Sequence, residues 1–254
     1  MNTSKPLYLF FDYDNTVRVN DAVSQKTVDA MEYARALGHR LILCTGRARG
    51  SKISDFSTLP WDGAIYGGAD ILYHGELCEE HVADLEDILI WTAYSMRTHR
   101  FFILEGQNEI VRYRFDKKLG AFTKQEIKEQ CAEICDIIKG NPITKISILG
   151  TDFATAELPK TQMNPIVHPS YLEVFGNGRD KGVAIRRFCE LFDVDLAQCA
   201  CFGDSMNDYP MFAVCPIGIA MKWAPEELAK TATYQAQSDE GVAEGIAWLL
   251  EQKE

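Results

Sequence analysis

The chain has 254 residues, 26 basic and 37 acidic side chains for a net charge of −11, and 46% apolar residues. That balance excludes a disordered or fibrous chain, and a polymer of this length can bury roughly 73% of its extended surface, so it folds without covalent or metal staples. With a pI near 5.0 and no concentrated basic stripe, it carries no footprint for nucleic acid or anionic membrane.

No apolar run approaches the ~20 residues of a membrane span, and Met1 to Pro6 lack the charged-then-apolar order of a signal peptide, so the expected location is the cytoplasm. None of the eight cysteines forms a C-x-x-C pair; they are expected to be small buried apolar groups. The first run, Leu7 to Phe11, is short, β-prone and not alternating, which suits a strand buried on both faces of a parallel sheet. It ends at Asp12-Tyr13-Asp14-Asn15-Thr16. Ser24 predicts the N-cap of a helix closed by Gly38, and Arg40 to Cys44 a second buried strand ending in Thr45-Gly46-Arg47. Strand, helix, strand at this spacing is a βαβ unit, whose right-handed crossover brings Asp12 and Thr45 to one carboxyl edge.

Ala64 to Tyr66 predicts a third strand with Gly67-Gly68-Ala69 as its turn. The grammar then changes. A helix over Val82 to Arg97 precedes strands Phe101 to Leu104 and Ile110 to Phe115; a helix over Thr123 to Ile138 precedes strands Lys145 to Leu149 and Tyr171 to Phe175. This repeated α-β-β order predicts an antiparallel sheet backed by helices, an insert at 81–177 within a core formed by 1–80 and 178–254. The parallel pattern resumes with a helix at Lys181 to Phe192, a strand at Cys199 to Phe202 broken by Gly203-Asp204-Ser205, a strand at Pro216 to Ala220 and a closing helix at Val242 to Leu250. The acidic excess lies in the core and not in the insert.

Four fragments fall at strand ends or helix starts of that core: Asp12-x-Asp14-x-Thr16, Thr45-Gly46-Arg47, Lys181-Gly182 and Gly203-Asp204-x-x-Asn207-Asp208. Carboxylates at Asp12, Asp14, Asp204 and Asp208 gathered in one crevice repel, and a hard divalent cation with oxygen ligands is the ordinary remedy; Mg²⁺ suits it. A hydroxyl, a lysine and free amides beside such a cation describe a phosphate pocket.

In these four motifs and their order, the last including Met211, the sequence resembles the haloacid dehalogenase (HAD) superfamily, specifically its Cof-type phosphatases with a large cap inserted between the second and third motifs. The resemblance implies a Rossmann-like three-layer α/β core with a parallel sheet, an α+β cap acting as a lid that chooses the substrate, and hydrolysis of a small phosphorylated metabolite. It implies Asp12 as nucleophile, Asp14 as general acid and base, and Mg²⁺ held by the Asp12 carboxylate, the Asp14 carbonyl and Asp204 with Asp208 behind. Thr45, Gly46 and Lys181 bind the phosphoryl oxygens in this scheme. Thr16 supports the loop, Asn207 orients Lys181 or Asp204, and Arg47 is either a neighbour of the site or a surface cation.

The sequence departs from the family pattern in places. Asn15 replaces the usual glycine, but Asn tolerates positive φ best among the other residues, so the turn is expected to survive. Gly67-Gly68-Ala69 stands where Asn-Gly-Ala is usual, and Met221-Lys222-Trp223-Ala224 where Met-Gly-Asn-Ala is usual, predicting altered leaving-group recognition. Trp223 is open to two readings, a platform for a substrate ring or a tryptophan buried for its area. Glu173 on the last cap strand is a candidate substrate contact, and Arg112, Arg114, Lys117 and Lys118 either grip an anion or form a solvated face. A receiver-like signalling module lacks such an insert. A phosphomutase and a non-catalytic phospho-ligand binder stay open, as does the oligomeric state.

Overall fold

Leu9, Phe10 and Phe11 are fully buried on both sides of the strand they form, the environment a continuous apolar run requires. This computed structural model describes residues 5–51, 53, 56–114, 121–176 and 178–252. They divide into two compact units, the first of Met1–Gly46, Ile53–Glu79 and Asp180–Glu254, the second of Arg47–Lys52 and Glu80–Arg179.

The first unit opens with β1 (Tyr8–Phe11), α1 (Gln25–Ala36), β2 (Arg40–Thr45), β3 (Gly63–Tyr66), β4 (Asp70–Tyr73) and β5 (Glu76–Glu79). The second holds α2 (Leu85–Arg97), β6 (Phe101–Gly106), β7 (Ile110–Arg114), α3 (Lys124–Gly140), β8 (Ile143–Leu149), β9 (Asn164–Val167) and β10 (Tyr171–Phe175). The first unit resumes with α4 (Lys181–Leu191), β11 (Cys199–Gly203), α5 (Tyr209–Phe212), β12 (Ile217–Ala220), α6 (Glu226–Ala229), β13 (Tyr234–Gln235) and α7 (Gly241–Glu251).

The sheet of the first unit runs β13-β12-β11-β1-β2-β3-β4-β5, parallel from β13 to β3 and antiparallel beyond. Met31 of α1 and Val242 and Ile246 of α7 pack with Leu9 and Phe11 on one face, while Ile185 and Phe188 of α4 pack with Phe10 and Ile42 on the other. This is the α/β/α layering of a Rossmann-like core. Phe11 stacks on Phe202 with ring centroids 4.4 Å apart, and Phe11 is in register with Phe202 of β11 and Leu43 of β2. The carboxyl ends of β11, β1 and β2 therefore share one edge, with β1 at the point where connections leave in opposite directions.

Ser24 caps α1, accepting from the Thr27 amide, and Gly38 follows the helix at φ +94°. α2 begins at Leu85 instead of Val82, because the Ala83 amide is bound to the Ile143 carbonyl and Asp84 takes the extended N-cap conformation. β4, β5, β9, α5, α6 and β13 are additions to the expected elements. β7 ends at Arg114; Phe115, Lys117 and Lys118 fall outside the described residues. Five cysteines are buried as expected, but Cys78 is exposed on β5 and Cys131 and Cys135 are only partly covered on α3. No helix among the described residues is long and apolar enough to cross a membrane.

In the second unit the antiparallel sheet runs β7-β6-β8-β10-β9. Alternation puts Phe102, Leu104, Ile146, Ile148, Leu172 and Val174 into one apolar cluster with Trp91 of α2 and Ile134 of α3. The intervening positions place polar groups in cross-strand register: Glu105 opposite Lys145, and Ser147 opposite Glu173. Lys145 Nζ lies 2.8 Å from Glu173 and 3.1 Å from Glu105, and His168 Nε2 lies 2.9 Å from the second oxygen of Glu173.

Burial alone would push the Glu173 carboxyl up, but Lys145 and then His168 hold it down at about 2. A carboxyl depressed in the folded state contributes stability above its unfolded value, and that contribution, about 3 kcal/mol, is lost as pH falls from about 4.5 through about 2. Urea midpoints measured from pH 5 downward should therefore fall more steeply for the wild type than for Glu173→Gln. Parallel curves would show that this pairing contributes no stability.

Candidate active site

The carboxyl edge of the parallel sheet assembles the site from three separate strand ends and one helix start. Asp12 follows β1, and its amide still donates to the Phe202 carbonyl at 2.9 Å, so it leaves the sheet in register with β11. The next residues turn tightly: Thr16 and Arg18 both donate to the Tyr13 carbonyl, and Asn15 sits at φ +58°. The left-handed conformation expected for Asn15 is thus present. Thr45 and Gly46 are buried at the end of β2, and Arg47, half-buried, belongs to the second unit.

Lys181 is the first residue of α4 and is buried with its charge. Its Nζ lies 2.6 Å from Asp12 Oδ1 and 2.5 Å from Asp208 Oδ1. Burial alone would favour the neutral amine, but Asp12 and Asp208 hold Lys181 charged, well above its ordinary range. Asp204 follows β11, and its Oδ1 accepts from Thr16 Oγ1 at 3.2 Å. Asp208 is fully buried; its Oδ2 accepts from the Asp204 and Ser205 amides at 2.9 and 3.0 Å. Gly203 permits this packing, since a Cβ there would lie 2.7 Å from the Asp208 side chain.

Ligand oxygens of Asp12, Asp204 and Asp208 lie within 4.8 Å of one another, all three residues buried. Three carboxylates against one lysine leave negative charge in excess. Burial first, then the neighbouring carboxylates, push Asp12 well above the ordinary range even though Lys181 pulls it down. Asp204 is pushed up to about 7 by burial and by Asp208. An all-oxygen, over-acidic cluster of this kind fits a hard divalent cation. Asp208 accepts from Lys181 and two backbone amides, Asp12 from Lys181 and Asp204 from Thr16, and each of the three carboxylates still offers a ligand oxygen to the cluster.

The side chain of Asp14 stands outside this cluster, half-buried on the turn. Asn207, expected to orient Lys181 or Asp204, instead accepts from Ser205 Oγ at 2.8 Å, supporting its own loop. Glu173 belongs to the second unit, with one carboxylate oxygen on Lys145 and the other on His168.

Trp223 is not buried: it is 38% exposed, and its indole Nε1 donates to the Asn15 carbonyl at 3.0 Å. The expectation of a tryptophan buried for its area fails because this hydrogen bond holds the ring at the surface, against the turn that carries Asp14. No pattern in the sequence signals it, since the acceptor is a backbone carbonyl 208 positions away. Gly67 and Gly68 both adopt positive φ, +57° and +65°, in the β3–β4 turn. Asn and Gly are the residues that accept such a turn, so the exchange of the family's Asn for Gly67 leaves its backbone possible.

The family model described as haloacid dehalogenase-like hydrolase matches residues 9–250. The phosphatase YwpJ of Bacillus subtilis is 25% identical over 94% of this chain and 98% of its own length. Among solved structures, BT1666 from Bacteroides thetaiotaomicron superimposes with a TM-score of 0.80 at 19% identity, covering 97% of this chain and 96% of that one. The subclass IIB sugar phosphatase BT4131 does so with a TM-score of 0.79 at 20% identity, covering 96% and 98%. With a parallel core that carries the four motifs at three strand ends and one helix start and a family match over nearly its whole length, the chain belongs to the haloacid dehalogenase-like hydrolases.

Proposed function

We propose that the protein is a Mg²⁺-dependent phosphatase that hydrolyses a small phosphomonoester, such as a sugar phosphate, through an aspartyl-phosphate on Asp12. The observation that carries this is the Asp12 carboxylate held 2.6 Å from the Lys181 ammonium inside a buried group of three acids. The names of the relatives, phosphatase and sugar phosphatase, support the reaction and suggest the substrate class.

A carboxylate approaching a phosphate dianion at ~3.5 Å faces roughly 9 kcal/mol of repulsion at an effective dielectric of 20. Lys181 offsets part of that by contacting both the nucleophile and the incoming phosphoryl oxygens. Mg²⁺, held by Asp12 and Asp204 with the Asp14 carbonyl, supplies the remaining positive charge when bound. Asp12 attacks phosphorus and the bond to the leaving oxygen breaks; Asp14 gives that oxygen a proton. Asp14 then takes a proton from the water that attacks the aspartyl-phosphate, releasing phosphate and restoring Asp12. The Asp14 side chain stands outside the carboxylate cluster. Thr45 and Gly46 hold the phosphoryl group, and Asp208 keeps Lys181 and the 204–205 amides in place.

Phosphate release from a panel of phosphorylated sugars and other small phosphomonoesters tests this directly: activity with Mg²⁺ and none with chelator is expected, and no release from any member overturns the assignment. Mg²⁺ should also raise the unfolding midpoint, by about 3 kcal/mol of stability at a hundredfold excess over its dissociation constant. Calorimetry of Asp204→Asn should show that this increment has largely disappeared. An undiminished increment in the variant would remove Asp204 from the metal site.

A further inference from the structure

We propose that the protein self-associates through the outward face of α2, a second copy packing its own α2 antiparallel across a two-fold axis. α2 is apolar on both sides. Its inward side buries Ile88, Trp91, Thr92, Ser95 and Met96 against the sheet of the second unit. Its outward side forms a shallow groove lined by Leu85, Glu86, Leu89, Ile90, Ala93 and Arg97, with Leu85 47% and Ile90 37% exposed. At 100° per residue, Glu86, Leu89, Ile90, Ala93 and Arg97 fall within one arc of about 100°. A helix that needed only to cover its own sheet would carry polar groups there.

The charges identify what covers it. Glu86 lies in the first turn of the helix and Arg97 in the last, and neither forms an ion pair among the described residues. Each sign suits its own helix end, but that leaves the apolar stripe between them unexplained. A second α2 laid antiparallel places Glu86 opposite the other copy's Arg97, and Arg97 opposite the other copy's Glu86, as a two-fold interface demands. The midpoint of that pairing falls between residues 91 and 92. The same midpoint sets Ile90 opposite Ala93 of the second copy, a large side chain over a small one, twice. One register therefore satisfies charge and volume together. A parallel copy would oppose like charges, and a partner of single charge would satisfy only one end.

One helix per copy is a small contact by the standard of stable interfaces, so the dimer should dissociate on dilution. Sedimentation velocity across a range of about 1 to 100 μM is expected to show the mean mass rising from 28.6 kDa towards twice that value. Glu86→Arg should remain monomeric over the range, as should Ala93→Arg, which closes the cleft by bulk. Glu86→Arg combined with Arg97→Glu should restore association. A wild type that stays monomeric throughout overturns the proposal. So does a Glu86→Arg variant that associates as the wild type does, or a charge-swapped variant that fails to recover. Mass is read independently of phosphate release, so this outcome and that of the functional assignment are separable.

Discussion

Asp12→Asn is expected to cut phosphate release on the order of 10⁴-fold or more while the metal-free protein unfolds at a midpoint equal to or above that of the wild type. The two effects have one source. The side chain loses its nucleophilic oxygen charge, so the first displacement has no attacking group. The amide oxygen still accepts from Lys181, and the buried group drops from three carboxylates to two, removing the charge that burial first and the neighbouring carboxylates second make costly at position 12. Hydrolysis of an aryl phosphate with Mg²⁺, paired with a thermal scan in chelator, measures both. Turnover near wild type would take the nucleophile's role from Asp12; a lowered midpoint would mean that the Lys181 pairing outweighs the repulsion.

Lys181→Met has the larger structural effect. Nζ contacts two buried carboxylates, and removing it leaves three acids with no protein cation against them. Breaking a buried pair in this way costs about 3–5 kcal/mol. The sign with pH follows from the raised folded values. A carboxyl that titrates higher in the folded state than in the unfolded one favours folding below its unfolded value and loses that advantage as pH rises. The deficit of the variant should thus be greatest above about 7, where Asp204 is ionised, and shrink in acid. Added Mg²⁺ should recover part of the stability, because it brings positive charge to the same oxygens, but not turnover, because the phosphoryl group has lost its ammonium. Urea unfolding with and without Mg²⁺ at two pH values checks this. Equal stability of variant and wild type in chelator at pH 8 would mean that Lys181 is not the counter-charge of the cluster.

The residues that carry charge to the site are the ones legible in advance. Asp12, Lys181, Asp204 and Asp208 each stand at a break between an apolar run and a polar loop, and the parallel register of β1 with β11 and β2 brings such breaks together. Asn15 was legible for a local reason, since positive φ has few occupants. What escaped depends on partners far away in the chain or on weak patterns. β5 is exposed at Glu76, Leu77 and Cys78 and shows no apolar period, and β9 contains Pro165, which marks an edge strand only once its neighbour is known. Asp208 as an organiser of backbone amides, Asn207 as a partner of Ser205, and Trp223 as the donor to Asn15 are hydrogen bonds that residue type alone does not choose. The Lys145 network escaped because its members alternate with core residues on three strands whose register the sequence leaves open.

The order in which a ribosome delivers the chain gives the sheet's topology a further consequence. β1 is made well before β11, yet its place lies between β2 and β11, and the Asp12–Lys181 and Thr16–Asp204 contacts close over 169 and 188 positions. A nascent chain can form β1, α1 and β2 early, and the second unit can fold whole while β11 is still unmade. Throughout that interval the edge of β1 that will receive β11 is open to other strands. The chemistry therefore cannot be assembled before β11 and the loop after it are made, and an apolar central strand has to be kept from premature pairing until then.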